Sequence, residues 1–231
     1  MDQDRIAKLD RGLLIVWVAA SLIGRRWLPG LPAIDVTPEG TMLRLAPFSA
    51  AALAWWPLVL FAAGLPLAAS SLHRTFRALD LRRSRIAFWI GNLGFVCLVL
   101  GLSLNLVEWT FATAALEEGI PQIRIDLIHR FQGLWLADGA VSALSLWLLG
   151  VWVALVSWIS LRSRPQLLPS WFGWTGVGGS LLTVAAGTWA IVTHGSLRTV
   201  DGGDALLWVH LWIGLGCALL WDTRTPAASL T

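Results

Sequence analysis

From Phe131 to Leu161 the chain reads FQGLWLADGAVSALSLWLLGVWVALVSWISL, an apolar run broken by one acidic residue, Asp138. A helix needs about 20 apolar residues to cross a hydrocarbon core of about 30 Å, so this run can span a bilayer with residues to spare. A carboxylate inside a span costs roughly 2.5–3.5 kcal/mol on insertion scales, so Asp138 calls for a compensating role. With 56% hydrophobic and 13% charged residues and a mean hydropathy of +0.68, the 231-residue chain has too little polar surface to coat a soluble domain. The composition predicts an integral membrane protein.

The punctuation of the sequence divides it into six spans. The first, about Ile6 to Trp27, follows a charged leader; its flanking Lys8, Arg11, Arg25 and Arg26 are expected to snorkel outward. No small-x-small cleavage site follows this run, which argues for an uncleaved span. Leu28 to Leu45 is rich in Pro and Gly and reads as a loop over the outer face. The second span, Pro47 to Ser70, holds Pro57 and Pro66 and should kink. The third runs from Ile86 to Phe111. The piece IPQIRIDLIHRF places Ile123, Leu127 and Phe131 at near-helical spacing among charges, which predicts a short surface helix before the fourth span, 131–161. The fifth span, Leu168 to Thr193, carries Gly173, Gly176, Gly178, Gly179 and Gly187, and this close-packing grammar predicts a central place in the bundle. HGSLRTVDGGD reads as an outer turn, and Ala205 to Trp221 as the sixth span. The expected fold is an all-α polytopic membrane bundle in a single domain.

Charge orients it. Eleven of the seventeen Lys and Arg residues fall in the N-terminus, the loops after spans two and four, and the tail. By the positive-inside rule both termini are cytoplasmic. The densest basic cluster, Arg74, Arg77, Arg82, Arg83 and Arg85, reads as a topology determinant touching anionic lipid headgroups or a membrane protein partner. The net charge of +3 is thus membrane-facing, and no nucleic-acid groove is implied. Sixteen Trp and no Tyr make Trp the interfacial aromatic, and Trp27, Trp109, Trp135, Trp158, Trp171, Trp208 and Trp221 are assigned to the two belts. High Arg against the single Lys8, with abundant Ala, Gly and Trp, points to a GC-rich bacterial source and its plasma (inner) membrane.

Within this frame the polar residues of the spans define a candidate pocket. Asp138, Ser142 and Ser145 share a helix face, as do Asn105 and Glu108. Counting from the span ends puts Glu108 at the outer interface and Asp138 and His210 about one turn below it. The candidate is a shallow outward-facing pocket of Asn105, Glu108, Asp138, Ser142 and His210, with His129 and His194 at the rim. Such residues suit a proton, a cationic ligand or a metal, and equally a purely structural bond between helices.

Other chemistries are poorly supported. Cys97 and Cys217 both lie inside spans, and neither CxxC nor HExxH occurs, so no metal is assigned. Bis-His haem needs paired in-span histidines where only His210 is clearly in a span, and no cofactor is assigned. Gly178-Gly179-Ser180 with His210 and Gly214 resembles the Ser and His of the rhomboid intramembrane proteases, but the span boundaries separate Ser180 from His210 by about 6 Å in depth. No catalytic residue is assigned.

The layout from His129 onward, His-x-x-Gln-Gly, a Trp- and Leu-rich span, a basic turn and then LLPSWFGWTGVGGSLLTVAAG, resembles a family of bacterial six-span membrane proteins grouped as a domain of unknown function, in which a proline-led Trp-Gly phrase opens the fifth span. The resemblance covers the C-terminal half and implies six spans, with no activity attached. Three function classes follow: a non-enzymatic accessory or sensory protein, a small transporter or permease subunit using the outer pocket, and an intramembrane metal- or haem-binding redox protein.

Overall fold

The computed structural model describes residues 3–27, 56–77, 79–163, 167–192 and 200–221. Among the described residues the chain is all α-helical. Its helices are α1 (Gln3–Trp27), α2 (Trp56–Phe76), α3 (Leu81–Glu117), α4 (Pro121–Arg162), α5 (Ser170–Val192) and α6 (Val200–Leu219). Each packs against its neighbours in sequence, and α6 returns to α1, so the six close into a ring. The predicted loop from Leu28 to Leu45 and the start of the second span at Pro47 lie outside the described residues.

Each joint of the ring has an identifiable chemistry. Asp10 of α1 pairs with Arg74 of α2, while Trp17 fills the space left by Gly64. His73 Nδ1 lies 2.7 Å from Ser84 Oγ at the α2–α3 turn, and that hydroxyl donates to the His73 carbonyl at 3.2 Å. Asp80 caps α3 by accepting from the Arg83 amide at 2.9 Å, meeting one of the orphan donors of a helix start. Between α4 and α5, Gly176 sits against the Ser157 hydroxyl so closely that no Cβ fits, and Trp147 Nε1 donates to Thr188 Oγ1 at 3.1 Å. Phe172 and Trp212 stack at 4.7 Å between α5 and α6.

The closing joint corrects one expectation. Arg11 does not snorkel outward: it is 2% exposed and its Nη1 donates to the Leu220 carbonyl at the end of α6. Terminal helix carbonyls lack intrahelical partners, and a guanidinium satisfies one while locking α1 to α6.

Three further expectations change. The surface helix before the fourth span is not separate, because α4 is continuous from Pro121 to Arg162; Phe131 and Trp135 are buried with Ala112 and Ala115 of α3, which holds the amphipathic piece in line. The Gly-rich α5 is not central. Gly173, Gly176 and Gly187 face α4 and Gly179 faces Trp208, yet the opposite side exposes Trp171, Trp174, Leu181, Leu182, Trp189 and Val192. The centre is α4, which packs on α3 and α5 and also reaches α2 and α6. Finally, Trp135 is 4% exposed and Trp208 packs on the core, so neither is a belt residue; Trp158, Trp171 and Trp221 are 42%, 49% and 40% exposed.

Among the described residues two helices, over Leu81–Leu104 and Pro121–Arg162, are long and apolar enough to cross a membrane, and a shorter apolar stretch covers Ala205–Leu219. At 42 residues α4 is roughly 63 Å long, about twice a hydrocarbon core. The close contact at Gly176 makes a testable demand. Gly176→Val should destabilise the bundle by about 1–3 kcal/mol in detergent thermal unfolding, as overpacking does. Gly178, whose added Cβ would meet nothing within 4 Å, supplies the control: Gly178→Ala should be neutral or slightly stabilising.

Candidate functional site

The polar residues of the α3–α4 pair are placed by its register. The helices run antiparallel with Gly91 against Trp152, Gly94 against Leu149 and Gly101 against Ser142, while Ala112 shares a cluster with Phe131. Followed along both helices, this register brings Asn105 level with Asp138 and Glu108 level with Trp135. The side chain of Asn105 lies outside the described residues.

Asp138 is 4% exposed and Glu108 is fully buried. Ser142, one turn along α4, donates from Oγ to Asp138 Oδ1 at 3.0 Å. A Cβ at Gly101 would stand 2.6 Å from that hydroxyl oxygen and 3.3 Å from Oδ1, so only glycine lets the α3 backbone approach the pair. Gly101, Asn105 and Glu108 fall at i, i+4 and i+7 on one face of α3. The seam therefore opens with a close backbone approach and continues into two buried carboxylates whose levels differ by about 4.5 Å, a little less than one turn of rise. Trp135 Nε1 is buried at the Glu108 level and makes no hydrogen bond among the described residues.

His210 stands apart from this seam. Because α6 begins at Val200, His210 lies at mid-helix and not one turn below an outer belt. Trp208 packs against Gly179 and Phe172 against Gly216, which sets His210 beside the Gly178 level of α5; Gly176 in turn meets Ser157 of α4. Ser157 is nineteen residues beyond Asp138, roughly 28 Å along the axis. His210 instead stacks on Trp17 at 5.2 Å, and its Nδ1 donates to the Leu206 carbonyl at 2.8 Å. The paired glycines of the Val200–Asp204 segment predict a turn, and a span that begins after them brings His210 toward the level of Asp138; the helix instead begins at Val200.

The rhomboid-like pair also changes its footing. Ser180 and His210 are within a turn of one another in level, closer than the span boundaries implied. The Ser180 hydroxyl nonetheless donates to Val177 O of its own helix at 2.7 Å, so its proton is directed along α5 and not toward an imidazole.

The rim residue His129 is exposed on α4, about 13 Å of rise from Asp138, and His194 lies outside the described residues. At the opposite end of α3, Arg74 pairs with Asp10, Arg83 lies 3.3 Å from Asp80, and Arg77, Arg82 and Arg85 are exposed. Cys97 and Cys217 are both buried thiols. Among the described residues no three of His, Cys, Asp and Glu converge to hold a metal. No family profile, curated protein or solved structure matches the chain.

Gly101 has no role assigned from the sequence, and Trp135, assigned there to a belt, stands instead in the seam. The signal for Gly101 was its place seven residues before Glu108 on the face already assigned to Asn105. Its role predicts a thermodynamic cycle: Gly101→Ala should cost about 1–3 kcal/mol, and Ser142→Ala in the same chain should recover much of that loss by removing the obstructing oxygen. Additive losses in thermal unfolding would show that the methyl and the hydroxyl do not compete for one space.

Proposed function

We propose that the protein is a six-span integral membrane protein of the bacterial plasma membrane with both termini cytoplasmic, acting as a non-enzymatic accessory or sensory protein. The observation that carries this reading is the α3–α4 hairpin. Its helices of 37 and 42 residues exceed the roughly 20 needed to cross a bilayer. With the arginine turn at the inner surface, the excess projects on the outer side as a packed helical pair. At its base sit the buried Glu108 and Asp138, and at its tip the exposed Ile120, Ile123 and Ile125.

Supporting the membrane reading is the apolar exterior. On α5 alone six large apolar side chains face outward. At about 1.5–3 kcal/mol for each side chain kept in water, that face would cost on the order of 10 kcal/mol, comparable with the whole stability of a folded domain. Lipid removes the cost. The remaining α1, α2, α5 and α6 are read as spans on this ground, on the positive-inside count and on the resemblance of the C-terminal half to a six-span family.

In this reading the α3–α4 seam is where an extramembrane event reaches the bundle. Two carboxylates one turn apart favour a cationic group, since a carboxylate accepts charge-assisted hydrogen bonds strongly in a low-dielectric surround. A permease using the same seam is the second reading, favoured by the internal Pro66 of α2 as a point of backbone weakness.

Topology and seam are separately testable. In a chain whose Cys97 and Cys217 are replaced by Ala, Ile123→Cys should react with a membrane-impermeant maleimide on intact cells and Arg85→Cys only after permeabilisation; the reverse pattern would sink the proposed orientation. For the seam, a panel of Na⁺, K⁺, Mg²⁺ and Ca²⁺ should include one cation that raises the melting temperature of the purified protein, and Asp138→Asn and Glu108→Gln should each abolish that rise. A rise of equal size in both variants would assign the carboxylates to helix packing alone.

A further inference from the structure

We infer that the inner end of α3 is a binding site for one anionic phospholipid, its phosphate held by Arg82 and Arg85 and an acyl chain lying along Trp89, Leu93, Val96 and Leu100. The inference rests on the membrane reading and adds a defined ligand to it.

These six residues follow one another at three- and four-residue steps, so they form one stripe on α3. The whole stripe faces outward: Arg82 and Arg85 are exposed, and Trp89, Leu93, Val96 and Leu100 are 66%, 53%, 55% and 49% exposed. It is basic at the helix start and uninterruptedly apolar beyond, which is the polarity of a phospholipid. From Trp89 to Leu100 the rise is about 16 Å, close to half of a hydrocarbon core of about 30 Å and so to the depth of one leaflet.

The charges on this stripe are uncommitted. Arg74 is paired with Asp10 and Arg83 with Asp80, whereas Arg77, Arg82 and Arg85 make no ion pair among the described residues. Asp80, the carboxylate at the turn, is already engaged by the Arg83 amide and guanidinium. A guanidinium presents a planar fork that matches two phosphate oxygens, and two of them one turn apart can share one phosphate.

The platform is also held in place. Ser84 is 2% exposed on the opposite side of α3, joined to His73 through its hydroxyl, and the His73 ring packs on Phe88 at 5.2 Å. With Asp80 capping the helix, the first turn of α3 is tied to α2, so Arg82 and Arg85 project from a fixed base. The Trp89 indole, one turn below the guanidinia, occupies the interfacial level where an apolar ring with one polar N–H is favoured.

The test uses the full-length protein in phosphatidylcholine vesicles containing a small fraction of lipid with brominated acyl chains, supplied either as phosphatidylglycerol or as phosphatidylcholine. The Trp89 contribution is the difference between wild type and Trp89→Phe. Brominated phosphatidylglycerol should quench that contribution more than brominated phosphatidylcholine at equal mole fraction. A basic residue near an anionic surface contributes ~1 kcal/mol, so each arginine should contribute about fivefold to the preference. Arg82→Gln with Arg85→Gln should abolish the preference, and Arg82→Lys with Arg85→Lys, which keeps charge but loses the fork, should restore part of it. Equal quenching by the two lipids in wild type overturns the site while leaving the membrane reading intact, as does a preference that survives the Gln pair. Absence of quenching by either lipid overturns both.

Discussion

The described helices leave large apolar side chains on their outward faces as well as in the core, and bury Ser and Thr hydroxyls between them; the rest of the architecture depends on that apolar exterior. Leu13 and Val16 of α1, Leu93 and Val96 of α3, Leu144 and Val151 of α4, Leu181 and Leu182 of α5, and Leu211 and Leu215 of α6 are all exposed. Ser71, Ser145, Ser157, Ser160 and Thr183 are buried. In the proposed lipid surround the hydrophobic effect is unavailable between helices, and cohesion would come from close backbone approach and from hydrogen bonds across the interface. Gly101 against Ser142 and Gly176 against Ser157 are both of this kind, a glycine admitting a hydroxyl.

Polar groups inside such a ring have two fates. Some are absorbed as fasteners, as when Arg11 satisfies the Leu220 carbonyl and closes α1 on α6, or when Ser145 Oγ donates to Gly94 O at 3.3 Å. Others bring two carboxyl groups close together along one helix pair. Glu108 and Asp138 belong to the second group, buried about one turn apart on the α3–α4 pair. A buried carboxylate is costly unless its surroundings compensate it. In the proposed reading, its place at the base of a hairpin that projects from the membrane ties the sensory role to the fold.

Much of this was legible in the chain. Long apolar runs bounded by arginine clusters and Pro-Gly punctuation marked where α3, α4 and α5 lie, because span length and interface chemistry act on composition directly. Asp138 was visible as an acidic residue in an apolar run, and its Ser142 partner by spacing. What was hidden depended on partners distant in sequence. An arginine that snorkels and one that caps a neighbouring helix look the same until α6 is placed beside Arg11. Trp135 and Trp208 sit near run ends like belt residues, yet Ala112 and Gly179 of other helices draw them into the core. His210 was misplaced in depth because the paired glycines after Val200 read as a turn, while the tertiary packing of α6 carries the helix through them despite their low propensity.

A membrane setting requires that lipid cover the outward apolar faces. Nitroxide labels placed singly at Leu13, Leu93, Leu181 and Leu215 in the reconstituted protein would decide it by relaxation with oxygen, which concentrates in lipid, and with a water-soluble nickel chelate. Lipid contact on four helices predicts high oxygen and low nickel collision rates at every site. High nickel accessibility, or protection from both reagents as at a protein–protein contact, would contradict a ring of helices facing the bilayer.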